Sequence, residues 1–168
     1  MIAQLFGLGG FVFSVLTFQQ NEHKKIVFMQ FMANICFTIH YYMLGAYTGS
    51  LLNIIGIIRS VVYIFKDHKW ARSNLWIVFF CLLCTGACAY TWEGALSLLP
   101  AAAMICTSIS FGITNPKLTR IISIPSSPMW IIYNIIKVSY GGVLTEAFNI
   151  VSIIIGMIRF DLKKEQNK

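Results

Sequence analysis

Apolar residues fall into long runs separated by short polar breaks. Seven such runs can be marked: Ile2–Phe18, Ile26–Leu44, Thr48–Phe65, Leu75–Tyr90, Leu96–Ile113, Thr119–Tyr140 and Val143–Phe160. Each approaches the roughly 20 apolar residues that cross a bilayer as a helix. In lipid every backbone N–H and C=O needs an internal partner, so continuous runs of this kind read as helices. Two of the runs carry interruptions. The third contains Asn53 and Arg59; the sixth contains Pro125, Pro128 and Lys137. Neighbouring helices and water can satisfy the carbonyls that a proline frees, so the sixth run is expected to kink and not to become a loop. The fold class expected is all-α: a polytopic membrane protein of seven transmembrane helices.

Composition agrees with this pattern. Of 168 residues, 57% are hydrophobic and 11% charged, against about 25% charged in soluble domains. Seven spans use nearly the whole chain and leave no separate soluble domain. Residues 1–18 lack a basic leader and a small-residue cleavage site, so the first run is expected to be retained as a span. The net charge of +7 becomes informative once it is placed. His23, Lys24 and Lys25 follow the first run; Lys66, Lys69 and Arg72 follow the third; Lys117 and Arg120 follow the fifth; Lys163, Lys164 and Lys168 follow the seventh. The connections around Tyr47, Trp92–Gly94 and Gly141–Gly142 carry no Lys or Arg. This alternation puts the N-terminus outside and the C-terminus in the cytoplasm, in a multi-pass inner (plasma) membrane protein. It also accounts for the basic charge without nucleic acid.

The cysteines Cys36, Cys81, Cys84, Cys88 and Cys106 all lie in apolar runs. Cys81, Cys84 and Cys88 share one helix face, where small residues packing on a neighbour are preferred over a metal or redox site. No phosphate loop, His pair or nucleophile elbow is present in the sequence. An enzyme is not expected, and neither a cofactor nor a metal is called for.

The chain also repeats itself weakly. At an offset of 93, Phe18 falls on Phe111, Lys24 on Lys117, Phe37 on Trp130, His40 on Tyr133 and Gly49 on Gly142. Gly56-x-x-Arg59 matches Gly156-x-x-Arg159 only at an offset of 100, so the second copy carries one or two extra turns. The division expected is a first triple-helix bundle over residues 1–66, a linker transmembrane helix over 67–94, a second bundle over 95–162 and a cytoplasmic tail over 163–168. A single linker helix between two odd-numbered bundles gives both the same orientation, a parallel repeat of the kind found in SWEET transporters.

The segment Gln19-x-x-x-His23-Lys24-Lys25, the stretch from His40 to Asn53 (HYYMLGAYTGSLLN) and the Gly-x-x-Arg end resemble the bacterial inner-membrane YgjV family, which is similar to the SWEET and PQ-loop transporters. The resemblance covers nearly the whole chain. It implies a 3+1+3 arrangement and a pocket asparagine on the third helix of each triplet. That role falls on Asn53 in the first copy and on Asn149 in the second, or on Glu146 if the offset of 93 is kept. The chain departs from the SWEET pattern where hinge prolines are concerned. Its first two runs have none, and the Pro-Gln dipeptide is replaced by Phe18-Gln19 and Phe111-Gly112. Pro125 and Pro128 remain as hinge candidates, which points to an asymmetric motion.

Further candidates come from polar and aromatic residues at membrane depth, where such groups line cavities or pair with one another. Phe37 and Trp130 are placed to stack on both sides of a sugar ring, or simply to pack. His40 and Tyr133 are solute or proton ligands, or residues satisfied by a neighbour. Lys137 and Glu146 flank one turn and are expected to form a salt bridge or a gate. Arg59 and Arg159 are expected to snorkel to cytoplasmic phosphates. The function expected is an inner-membrane transporter of an uncharged or amphipathic, sugar-like small solute by alternating access. The alternative is a non-transporting receptor or scaffold of the same fold that binds a peptide or lipid headgroup. The partners expected are membrane lipids and the solute, with homo-oligomerisation left open.

Overall fold

The computed structural model describes residues 2–162. The expected tail, with Lys163, Lys164 and Lys168, lies outside the described residues. Among the described residues there are eight α-helices and no strand: α1 (Ile2–Phe18), α2 (His23–Met43), α3 (Tyr47–Ile64), α4 (Leu75–Tyr90), α5 (Leu98–Gly112), α6 (Pro116–Ser123), α7 (Ser126–Ile136) and α8 (Tyr140–Gly156). A 3-10 turn, Ala95–Ser97, leads into α5, and a π-helical segment, Met157–Leu162, extends α8.

Four helical stretches are long and apolar enough to cross a membrane: His23–Met43, Tyr47–Ile64, Ala95–Gly112 and Tyr140–Asp161. Four of the seven expected runs thus form helices of that length. Helices α1 and α4, at 17 and 16 residues, reach about 26 and 24 Å at 1.5 Å per residue, short of a hydrocarbon core of about 30 Å. The sixth run is divided into α6 and α7. Pro125 has no N–H to offer Ile121, whose carbonyl instead accepts from Ile124 N at 3.3 Å. Ile124 and Pro125 nevertheless keep right-handed helical dihedrals, so the break is a kink. Pro128 sits in the first turn of α7, where a missing N–H costs little. Helix α6 has a clear start: the Asn115 side chain accepts from Lys117 N and Leu118 N, with Pro116 in the first turn.

Six helices pack in a ring: α1 on α2, α2 on α3, α3 on α5, α5 on α7, α7 on α8, and α8 back on α1. Helix α4 lies outside, against α3 and α5, while α6 packs on α5 and touches α8. The distribution of polarity inverts that of a water-soluble protein. Asn34, His40, Asn53, Arg59, Asn134 and Asn149 are buried, whereas Leu5, Leu8, Leu75, Leu82, Ile135 and Ile154 face outward. An exterior this apolar is the surface of a protein solvated by lipid.

The turns that end α2 and α7 share hydrogen bonds at the offset of 93. Leu44 N donates to His40 O and Lys137 N to Tyr133 O; Ala46 N donates to Tyr41 O and Ser139 N to Asn134 O. The residues in the left-handed region also correspond, Gly45 at φ 68° and Val138 at φ 55°. Such helix ends are usually closed by glycine, and a β-branched residue there is strained. Val138 is 57% exposed, so its side chain contributes little packing in return. Val138→Gly is expected to raise stability by about 1 kcal/mol, measured by unfolding in mixed micelles. A loss of stability would mean that the turn is held by contacts of the valine side chain.

Candidate functional site

Within the ring lies a cavity to which every one of its six helices contributes. Ser14 and Phe18 come from α1, Asn34, Phe37 and Tyr41 from α2, Asn53 from α3, Met104, Thr107 and Phe111 from α5, Ser127 and Trp130 from α7, and Glu146 and Asn149 from α8. Its volume is about 40 Å³, room for about three waters. The wall is polar on the α8 side, where Asn149 Nδ2 donates to Ser14 Oγ at 2.9 Å and to Glu146 Oε2 at 3.3 Å.

At the end of the ring away from the basic loops, the two halves of the chain exchange hydrogen bonds. Tyr41 donates to Asn134 Oδ1 at 2.8 Å. Tyr133 receives Gly49 N at 3.2 Å, at the start of α3. His40 Nε2 meets Ser139 Oγ at 2.9 Å, at the start of α8, and its Nδ1 meets Ala3 O. At the basic end the exchange is again reciprocal. His23 bonds Phe111 O at the end of α5, and Arg120 bonds Phe18 O at the end of α1. Lys66 donates to Gly112 O, and Arg120 pairs with Asp161 at 2.8 Å. The basic loops thus converge on one end of the bundle. On its surface, a hydrogen bond from Lys24 holds the Asp67 carboxyl below the usual carboxylate range. Partial burial lowers the pKa of Lys66. Beside these residues a wide cleft of about 710 Å³ is lined by Lys66, Asp67, Arg72, Asn74 and Thr114.

The residues singled out from the sequence are divided by the structure. Asn53, Asn149, Glu146, Phe37 and Trp130 line the central cavity; His40 and Tyr133 lie in the closure at one end. Phe37 and Trp130 do not face each other across open space. Tyr41 lies between them, with ring centroids 5.8 Å from Phe37 and 5.7 Å from Trp130, stacked on both. No sugar ring can occupy that place. The expected pair Lys137–Glu146 is not formed: Lys137 pairs with Glu93 on the preceding loop, and Glu146 turns inward. Arg59 does not snorkel. Its side chain is fully buried and donates to Met104 O, Thr107 Oγ1 and Ser108 Oγ on α5. Arg159 stays exposed over the Phe160 ring. Cys84 and Cys88 are buried, and Cys88 donates to Ser97 O.

Four contributors were not marked as site residues in the sequence. Tyr41 is one of two adjacent tyrosines, and only the helix phase decides which faces inward. Asn134 is a lone polar residue in an apolar run, which is a usable signal. Arg120 and Asp161 read as ordinary loop charges, and nothing local shows that they pair.

No curated protein and no solved structure matches this chain. The model of the bacterial inner membrane protein family Imp-YgjV matches residues 1–164, and the chain belongs to that family.

Proposed function

We propose that the chain is a transporter of a small polar solute, working by alternating access, with its solute site in the central cavity. The observation that carries this reading is a polar cavity at the centre of a helical ring, bounded at each end by hydrogen bonds exchanged between the two halves. At the end away from the basic loops these contacts join neutral groups and can be broken and remade at modest cost, since such a hydrogen bond contributes about 1 kcal/mol net. The matching turns after α2 and α7 support reading residues 1–66 and 95–162 as copies of one triplet, with 67–94 as a linker, in a 3+1+3 plan related to SWEET transporters. Family membership and the apolar helices make it a multi-pass protein of the inner membrane. The kink at Pro125 favours bending in the second half, while residues 1–66 stay nearly rigid. The rings of Phe37 and Trp130 serve as wall on this reading and do not clamp a sugar.

Uptake into proteoliposomes, screened over sugars, amino acids and amines, tests the proposal. Saturable uptake is expected, abolished by Asn149→Leu in protein that remains folded. A second reading has one observation in its favour: the cleft with Lys66 and Arg72 suits an anionic lipid headgroup, and hence a receptor or scaffold. No uptake of any solute, together with headgroup binding lost on Arg72→Ala, would establish it instead. The topology proposed, N-terminus outside and C-terminus in the cytoplasm, predicts a fluorescent C-terminal green fluorescent protein fusion and an inactive C-terminal alkaline phosphatase fusion. An active phosphatase would refute it.

A further inference from the structure

The side-chain amides of the cavity wall already donate within the protein. Both N–H groups that Asn149 directs at its surroundings go to Ser14 and Glu146. The amide of Asn53 donates to Gly49 O at 2.8 Å, and the Tyr41 hydroxyl donates to Asn134. Two acceptors on the α8 side are left without a donor or a countercharge of their own. Asn149 is 4% exposed and its Oδ1 has no partner. Glu146, on the same wall, is in none of the ion pairs among the described residues. A carboxylate inside a membrane protein needs a countercharge or a proton, and a buried acceptor left without a donor is costly. The same cavity is lined by the rings of Phe37 and Trp130, and an aromatic face attracts cations.

We propose that the cavity is a site for the ammonium group of a small amine. A primary ammonium brings three N–H donors and one positive charge. Glu146 supplies the charge-assisted acceptor, Asn149 Oδ1 a second acceptor, and the aromatic side contacts the N-methyl or N-methylene carbon. The volume limits the fit to a compact head group. Any larger body of the solute extends along the ring axis. This names a cationic head group where the sequence suggested an uncharged or amphipathic solute, and it rests on the transport reading for the solute's path but not for its binding.

The test is titration of the purified full-length protein with methylammonium chloride, followed by tryptophan fluorescence and thermal shift. Sodium chloride holds the ionic strength constant, and tetramethylammonium and glucose are run in parallel. Saturable binding of methylammonium is expected, weakened at least about tenfold by Glu146→Gln and by Asn149→Leu. Tetramethylammonium, which has charge but no N–H, is expected to bind at least about tenfold more weakly. Equal binding of tetramethylammonium or sodium, or undiminished binding by Glu146→Gln, overturns the proposal. If Glu146→Gln does not fold, the comparison of the ammonium ions on the unaltered protein decides. Methylammonium binding without uptake into proteoliposomes would refute transport and leave this site standing. Glucose uptake without methylammonium binding would do the reverse.

Discussion

Asp161→Ala is expected to be among the most destabilising single changes in the chain, costing about 3–5 kcal/mol. Arg120 has no exposed side-chain surface, and Asp161 has 8%. Its guanidinium donates to Asp161 at 2.8 Å, to Gln20 O at 3.0 Å, and at longer range to Phe18 O and Asn21. It also lies over the Phe160 ring, 5.1 Å from the centroid. Three parts of the chain meet on this one side chain: the α1–α2 turn, α6, and the π-helical extension of α8. Removing the carboxylate leaves a buried cation with neutral acceptors only, which is worse than having no ion at all. The double change Arg120→Met with Asp161→Leu should therefore recover most of the loss. A double-mutant cycle measured by reversible unfolding in mixed micelles separates the coupling from each single cost. If Asp161→Ala costs under about 1 kcal/mol, the pair is behaving as a solvated surface contact and the latch at the basic end does not exist. The Lys24–Asp67 pair provides the contrast, with both side chains largely exposed. Its removal should leave unfolding unchanged.

Gly156→Ala should be the most damaging of the glycine changes. A Cβ at Gly156 would sit 2.6 Å from Phe18 O and 2.9 Å from Arg120 Nε. The first of these atoms is backbone and cannot rotate away, so α8 must move off the end of α1 and disturb the Arg120 contacts. Overpacking of this kind costs about 1–3 kcal/mol. Gly86 provides the control. Nothing lies within 4 Å of its Cβ position, so Gly86→Ala in the interior of α4 should stabilise by up to about 1 kcal/mol. Thermal midpoints of the two variants should move in opposite directions. If both fall together, helix-to-helix approach is not what selects glycine at position 156. The same measure separates two neighbours in α1. Gly10→Ala would place a Cβ 2.8 Å from the Phe37 ring and should be damaging, whereas Gly9 meets only Cys36 Sγ at 3.4 Å.

The two halves of the chain illustrate what a linear reading could and could not see. The offset of 93 was legible from a handful of aligned residues, and it reappears in the turn hydrogen bonds around Gly45 and Val138. Five residues of the cavity wall, Phe37, Asn53, Trp130, Glu146 and Asn149, stood out as polar or aromatic groups at membrane depth. Their arrangement was not legible. That Tyr41 fills the space between Phe37 and Trp130 depends on how α2 and α7 approach, which no local pattern encodes. The choice of Lys137 for Glu93 instead of Glu146 is likewise a matter of which loop folds over which helix end.

The sequence by itself determined that lipid is the solvent, that the chain is helical throughout, where most helices begin and end, and that its basic residues collect in alternate loops. These follow from local composition, since an apolar run in a bilayer has helix as its only way to satisfy its backbone. The tertiary structure alone decided that six helices close into a ring, that Arg59 and Arg120 are buried and not snorkelled, and that Glu146 faces inward without a cation. The burial of the two arginines depends on acceptors brought from distant parts of the chain: Thr107 and Ser108 for Arg59, Phe18 and Asp161 for Arg120. A charge stays inside only where folding assembles such partners around it, and sequence spacing does not record that assembly.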